Sequence, residues 1–479
     1  MAELKEFIVA IELGSSKMTA IAGQKKPDGS ISVLAMVREE SSSFIHKGVV
    51  YNIDKTAQCL SNIVKKLEMQ LNTRVRQVFV GVGGQSVHSV RNTIVHNLDV
   101  ETIVTREMVT ELMDENRATD YPDQAVLEIV EQEYRVDSNL QTDPVGIRAS
   151  RLEGNFLNIL IRRSFLQNLI KSFEAADVKV AGMFVAPIEL GNVLVSENVR
   201  RSGCAIVDLG ADTTTVAVYS RNLLRHLVVI PLGANNITKD IATLQMEESE
   251  AEKMKLKYAS AYTDLSEIDD TLRYSIDVER QVESRKFTEI VEARVEEIIL
   301  NVREHIPAEY GDKLLGGIIL TGGGSNLKNI DIAFRTHTID KVSIASFVSI
   351  AINSGDPVIK RRDGMCNTVL GLLAKGYENC AGADLSKRDL FTPEDTPDEE
   401  DDGSGKANNF GGALAGEKAR QEKERKEKAE QERLERERLE AQRKRELEER
   451  IRQENEKKPW NRFKKFISKV TEDMVRGEE

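Results

Sequence analysis

Over the first 390 residues, short β-branched runs broken by glycine alternate with stretches of helical apolar period. Residues 8–22 read IVAIELGSSKMTAIA and residues 205–219 read AIVDLGADTTTVAVY. Each is an apolar run, an acidic residue, Leu-Gly, a small polar turn and a second apolar run. Each therefore predicts a β-hairpin. Glu12 aligns with Asp208, Leu13 with Leu209 and Gly14 with Gly210. A phrase that recurs in both halves of a chain points to a duplicated unit. Helical faces are predicted over residues 54–71 (Ala57, Leu60, Val64, Leu67, Leu71, with Asp54 as N-cap), 165–173 (Phe165, Leu169, Ile170, Phe173) and 288–302 (Val291, Val295, Ile298, Val302). A strand-like run, VRQVFVGVGG, ends at Gly83-Gly84, and residues 85–163 mix short strands with an acidic helix near 105–118. Residues 316–327, GGIILTGGGSNL, predict an apolar strand and then three glycines opening a helix.

These patterns carry candidate chemistry. Turn glycines let backbone N–H groups approach phosphates, and acidic residues at two facing strand ends can hold a hydrated Mg²⁺ between them. One such hairpin alone is an ordinary turn. Two matched copies on opposite halves can close over one ligand from both sides. The three-glycine loop adds a third approach point, with free N–H groups at a helix start; by itself it reads equally as a flexible glycine loop.

Composition narrows the class. With 479 residues the chain is too long for one hydrophobic core. A net charge of −12 excludes the whole chain as an electrostatic nucleic-acid binder. The four cysteines, Cys59, Cys204, Cys366 and Cys380, are scattered without a CxxC pair, which fits reduced thiols rather than a disulfide framework or zinc ribbon. The six histidines do not cluster. The start, MAELKEFIVAIELG, lacks the basic region of a signal peptide, and no apolar run approaches the ~20 residues of a spanning helix.

Composition breaks near residue 392. Residues 394–402 (EDTPDEEDD) are acidic and 403–416 are rich in Gly, Asn and Ala, so neither segment can bury enough apolar surface to fold. Residues 417–456 use almost only Glu, Lys, Arg, Gln, Ala and Leu, with repeated (i, i+4) pairs such as Glu422–Lys426 and Glu440–Lys444. They read either as a solvated single helix frayed at its ends or as plain disorder. After Pro459, Trp460, Phe463, Phe466, Ile467, Val470 and Met474 share one helical face, and Lys464, Lys465 and Lys469 lie on or beside the other. Aromatic anchors with a cationic face predict a short helix lying in the interface of an anionic membrane. Packing on the protein's own body is disfavoured by the cost of closing a polar tether of about 65 residues.

The order of hairpin, long segment, second hairpin and TGGG loop resembles the actin-like ATPase superfamily. ELGSSK looks like its first phosphate motif, DLGADTT its second, and LTGGGSNL its adenosine motif. NTVLGLLAKG, residues 367–376, looks like the helix that closes between the halves, with Gly371 and Ala374 allowing close approach. Within the superfamily, residues 5–380 resemble the FtsA family of bacterial cell-division proteins, on PVGIRASRLEGNFLNILI, NLLRHLVVIPLGANNITKDIA, AEKMKLKYA and the terminal amphipathic helix. The charged stretch 392–456 has no counterpart in short-tailed relatives.

The resemblance implies an α/β, actin-like two-lobed fold. Residues 1–84 and 164–198 would form the first lobe, 85–163 an inserted α+β subdomain, 199–230 and 312–385 the second-lobe core and 231–311 its outer subdomain. A charged tether (392–456) and a membrane-targeting helix (457–476) would follow. It implies ATP binding, actin-like filaments of the chain with itself, and attachment of the ring protein FtsZ and other division proteins to the cytoplasmic membrane at the septum. Carried over by position, Ser15, Ser16 and Lys17 match the first phosphate turn, and Gly210, Asp212, Thr213 and Thr214 the second. Glu252 and Lys255 match the helix bordering the adenosine, and Gly322, Gly323 and Gly324 the adenine loop. Glu12 and Asp208 would sit over the water shell of Mg²⁺. FtsZ is expected on 231–311, with Arg294 and Arg303 exposed to receive an acidic peptide.

Two departures bear on activity. Ala211 and Asp212 stand where the family's second turn has glycines, and an Asp beside phosphates repels them unless Mg²⁺ lies between. Ala186 precedes Pro187 where relatives such as MreB and the DnaK-type chaperones carry an acid, so the nearest catalytic candidate is Glu189 and hydrolysis is expected to be weak or absent. The competing readings are a pilus-type scaffold of the PilM kind and a small-molecule kinase of the same superfamily; neither has use for a terminal membrane helix.

Overall fold

The hairpin phrase repeats in three dimensions as well as in sequence. In the computed structural model, which describes residues 6–264, 271–338 and 341–384, strand Ile8–Leu13 pairs antiparallel with Lys17–Lys25, which pairs with Ile31–Glu40. Strand Cys204–Leu209 pairs antiparallel with Thr214–Ser220, which pairs with Leu223–Ile230. The registers coincide: Glu12 lies opposite Thr19 and Asp208 opposite Thr215. Each meander then gains parallel strands on its first edge. Val78–Val82 and Val180–Val185 extend one sheet, and Ile318–Thr321 and Val342–Ile344 extend the other. The two halves are one unit used twice; one buried core lies within the second half, and a larger one joins the first half to second-half residues such as Ile206, Tyr219 and Leu227.

The expected helices form, with corrections at their ends. Helix Ile53–Leu71 is capped by Asn52, whose side chain accepts from Lys55 N–H at 2.9 Å; Asp54 falls inside the first turn. Asn52 wins because the residue just before the helix, in extended conformation, aims its side-chain oxygen at the free amides. Ile63, rather than Val64, is fully buried on that face. Helix Ser284–Glu304 buries Val291, Val295, Ile298 and Val302 as the spacing predicts.

The inserted segment is not a mixture of short strands. It is built on two long ones, His88–Ile103 and Arg148–Arg162, paired antiparallel, with helix Arg106–Arg117 covering a core of Val104, Leu112, Tyr134, Leu152 and Phe156. Its sheet is continuous with the second lobe through one pairing, Val228 with His88. The Arg225 guanidinium holds Glu133 at 2.5 Å beside this seam, and that pairing pulls the Glu133 carboxyl down to about 2.

Helix Asn367–Lys375 lies between the halves and is apolar nearly all round, as a helix buried on several sides must be. It seats on missing side chains. A Cβ at Gly81 would run into Leu372 and lie 3.3 Å from Ala186 Cβ, and one at Gly23 would lie 2.9 Å from Leu373. Gly371 itself backs onto helix Ala186–Leu194, where a Cβ would lie 2.8 Å from the Glu189 carbonyl oxygen. Ala374, expected to share this close approach, is only half-buried. The tether over 392–456 and the terminal helix over 457–476, with Trp460, Phe463, Lys464, Lys465, Phe466, Ile467, Lys469 and Val470, lie outside the described residues.

Gly371→Ala tests this seating. An exposed helical glycine gains about 1 kcal/mol on becoming alanine. Here the new methyl meets backbone, so a net loss of about 1–3 kcal/mol in urea unfolding is expected. Gly83→Ala, with open space around its Cβ position, should be near neutral. A stabilised Gly371→Ala variant would contradict the packing described.

Candidate functional site

The two turns are built alike. A Cβ on Gly14 would lie 2.7 Å from the Lys17 carbonyl oxygen, and one on Gly210 2.8 Å from that of Thr213, so both positions need glycine to turn so tightly. In the first turn Ser15 is buried, and its Oγ accepts the Gly48 N–H at 2.7 Å. Ser16 gives its carbonyl to Ser41 N–H at 3.0 Å. Lys17 is exposed, with its ammonium 3.4 Å from Glu40. In the second turn Gly210 N–H donates to the Thr213 carbonyl at 2.9 Å, and Thr214 is fully buried. Asp212 is not a free charge: its carboxylate accepts from Asn235 Nδ2 at 2.7 Å and from the Lys47 amide at 3.0 Å.

At the bases of these turns the structure brings Glu12 and Asp208 together. Burial and then the nearby Asp208 push the Glu12 carboxyl up to about 8, against the attraction of Arg38 and a hydrogen bond from the Val369 backbone N–H. Burial pushes Asp208 up to about 6. The closing helix starts in the same place. Val369, in its first turn, donates to Glu12, and Asn367 donates to Thr321 Oγ1 at 2.9 Å on the strand beside Asp208. Two carboxylates crowded enough to resist ionising form a site that a divalent cation would relieve. They are too few to cage a bare ion, so water would complete the shell of Mg²⁺.

The glycine loop differs from expectation. Gly323–Asn326 is a single 3₁₀ turn, and the α-helix begins only at Ile330. Two of its glycines serve internal packing. Gly322, at φ +82°, presses on the Asp208 carboxylate, and a Cβ at Gly324 would lie 2.9 Å from Leu209. Gly323 alone is exposed, with Met365 3.5 Å from its Cβ position and otherwise open space. Glu252 and Lys255 are neighbours, but they bind each other and their own lobe. Lys255, 8% exposed, pairs with Glu252 at 2.6 Å and donates to Thr238 Oγ1 at 2.8 Å and the Ala234 carbonyl at 3.1 Å. Their first role is to tie helix Glu248–Tyr258 to helix Ala234–Ala242.

Two expected residues, Glu189 and Arg294, are already engaged, and Arg303 is exposed as expected. Glu189 is buried, with Lys375 at 3.2 Å and Asn192 at 3.1 Å on its carboxylate. Lys375 ends the closing helix, about 9 Å along its axis from Val369, so Glu189 is held as a packing ion pair rather than poised beside Glu12. Arg294 is not exposed as the helical wheel suggests; its guanidinium holds Asp240 from Nε and, at 3.1 Å, from Nη2, and also pairs with Glu297. The (i, i+3) carboxylate and a neighbouring helix capture it. Arg303 is exposed and donates to the His337 carbonyl at 3.3 Å. Sequence reasoning missed Lys47, Gly48, Asn235 and Asn367. Only the HKGVV glycine between two short strands signals the first two.

Comparison with known proteins gives a consistent picture. A family model described as "Cell division protein FtsA" matches residues 205–358, and one described as "SHS2 domain inserted in FTSA" matches residues 84–160. The chain is 32% identical over 346 residues to Cell division protein FtsA of Porphyromonas gingivalis, covering 70% of this chain and 71% of that protein. It is 30% identical over 339 residues to the protein so named in Neisseria meningitidis serogroup B, covering 69% and 81%. Among solved structures it is similar to a chain of a "PilM-PilN type IV pilus biogenesis complex", with a TM-score of 0.53 and 15% identity over 78% of this chain and 98% of that one. That likeness concerns the fold.

The raised Glu12 carboxyl predicts how the ligand-free protein responds to pH. Between the ordinary carboxyl value of 4.5 and about 8, the folded chain holds a proton that the unfolded chain releases. Stability should therefore fall as pH rises through that window. Glu12→Gln removes its part of the dependence and leaves that of Asp208, which lies below about pH 6. It should stabilise the ligand-free chain by on the order of 2 kcal/mol at pH 8 and little at pH 5, read by urea unfolding at both. Equal effects at the two pH values would show that Glu12 does not titrate in the fold.

Proposed function

Since the chain belongs to the FtsA family of cell-division proteins, with an actin-like fold carrying an inserted SHS2 subdomain, we propose that it is an ATP-binding, membrane-tethered scaffold that polymerises and anchors the FtsZ ring to the cytoplasmic face of the cell membrane at the septum. The observation that carries the nucleotide part is the pair of superposable glycine turns whose strand-end acids, Glu12 and Asp208, meet at the start of the closing helix. The phosphates of ATP would lie against Ser15, Ser16 and Lys17 on one side and Gly210, Asp212, Thr213 and Thr214 on the other. The base side would lie at the open face of Gly323. Mg²⁺ would be held through water by Glu12 and Asp208, supplying the positive charge that lets both ionise beside phosphate. Glu252 and Lys255 border the site from behind. With Glu189 tied to Lys375, no residue is assigned to activate water, and binding without fast turnover suits a filament switch.

The FtsZ contact is assigned to the outer subdomain, residues 231–311. The capture of Arg294 by Asp240 leaves Arg303 as the cation better placed for an acidic FtsZ peptide. The PilM-type reading has the fold likeness in its favour, but the sequence identity favours FtsA.

The tail supplies the membrane part. Trp460, Phe463, Phe466, Ile467 and Val470 would enter the lipid interface while Lys464, Lys465 and Lys469 meet anionic headgroups. Each basic residue contributes on the order of 1 kcal/mol and each buried large apolar side chain roughly 1.5–3 kcal/mol, less the cost of ordering the helix. One tail therefore binds weakly and reversibly, and a filament aligning many tails binds firmly.

Two measurements test this. Gly323→Val fits its own backbone surroundings and fills only the open side, so calorimetry should show Mg-ATP affinity reduced by at least about tenfold, or 1.4 kcal/mol. Wild-type affinity would remove the base from that face. Phe463→Glu with Phe466→Glu should abolish co-sedimentation with anionic liposomes; undiminished sedimentation would show that the terminal helix is not the anchor.

A further inference from the structure

The second turn reaches across to the first lobe. Asp212 Oδ2 accepts the Lys47 backbone N–H at 3.0 Å, although the two residues lie 165 positions apart. The next amide along, Gly48 N–H, donates to Ser15 Oγ at 2.7 Å, in the first turn. Two consecutive N–H groups thus serve the two phosphate-type turns. Lys47 and Gly48 have φ of +51° and +72°. Successive residues in such turn conformations bring their N–H groups to one side and form an anion-binding concavity. A lysine in the left-handed region persists only where its surroundings hold it. Here Gln85 N–H bonds the Lys47 carbonyl at 2.8 Å, and Gly48 crosses Gly84 so closely that no side chain fits at either. The amides therefore point where they do whether or not an anion is present. On the other side Asp212 is aimed by Asn235, whose own N–H is bonded at 2.7 Å to the Ala211 carbonyl.

We propose that Asp212 is a built-in substitute for phosphate. Its carboxylate accepts the Lys47 N–H of the opposite lobe, the amide next to the one that Ser15 Oγ already takes, and so latches the two lobes together; a nucleotide phosphate displaces it from that amide. A carboxylate and a phosphate offer the same kind of acceptor oxygen to the same amides, and phosphate with Mg²⁺ brings more charge. The latch stands on the hydrogen bond between Asp212 and the Lys47 amide. Its displacement rests on the nucleotide reading of the same cleft.

The test separates the two. In the full-length nucleotide-free chain, hydrogen exchange is followed at the Lys47 and Gly48 amides in wild type and Asp212→Ala. A second measurement follows the distance between spin labels at Tyr51→Cys and Leu256→Cys. Both positions are 77% exposed, one in each lobe, and the four native cysteines are buried. Asp212→Ala should raise exchange at Lys47 by about tenfold or more, leave Gly48 unchanged and broaden the label distances. Unchanged Lys47 exchange overturns the latch. So does an equal rise at both amides, which would mean that the carboxylate supports the loop and not the lobe contact. Mg-ATP added to Asp212→Ala should restore protection at Lys47. Binding of Mg-ATP without that protection overturns the substitution by phosphate. Absence of binding to wild type and variant alike overturns the nucleotide reading and leaves the latch to be judged on the nucleotide-free data.

Discussion

The close approach of one short apolar helix to the first sheet and to helix Ala186–Leu194 governs the rest of this molecule. Helix Asn367–Lys375 has no side chain at Gly371, and the surfaces it meets lack side chains at Gly81 and Gly23. Gly371 lets the helix meet the backbone of Ala186–Leu194, while Gly81 and Gly23 make room for the Leu372 and Leu373 side chains, which fixes the helix on two sides. Its first turn then stands at the mouth of both hairpins, where Val369 donates to Glu12 and Asn367 to Thr321. The position of the site follows from the packing of that helix. Enlarging any of these glycines would displace the carboxylates together with the core.

That geometry carries an electrostatic cost. Glu12 and Asp208 are half-buried and near each other, and both carboxyls are raised by it. Desolvation is the first cause for each, and their mutual repulsion is secondary. The helix amides and Arg38 offset part of the cost for Glu12. A cation at this point would offset the remainder, so ligand binding and lobe closure draw on the same free energy. On the other side of the turn, the fixed Lys47 amide is satisfied by Asp212 from the opposite lobe and the next amide, Gly48, by Ser15 Oγ.

The inserted subdomain occupies an intermediate place. It branches from the first half of the chain, yet its sheet runs into the second lobe through Val228 and His88 and is clamped there by Arg225 and Glu133. Arg91 with Glu309 and Tyr310 forms a second clamp between the same two bodies.

Much of this was legible in one dimension because local rules decide it. The duplicated hairpin, the apolar period of Ser284–Glu304 and the small residues of the closing helix are properties of nearest neighbours along the chain. The length of the inserted strands was not legible, since His88–Ile103 and Arg148–Arg162 stabilise each other although residues 104–147 lie between them. Neither was the capture of Arg294 by Asp240 or of Glu189 by Lys375, because a charged side chain on a helical wheel looks the same whether its partner is water or another helix. Of three adjacent glycines, the sequence by itself marked all as approach points; the fold uses Gly322 and Gly324 to pack on Leu209 and leaves Gly323 open. The sequence alone therefore determined which backbone turns exist and which acids end the strands, because tight turns and strand periodicity are set by residues a few positions apart. The tertiary structure decided which of those groups are free to meet a ligand and which already have partners, because that depends on contacts between segments far apart along the chain.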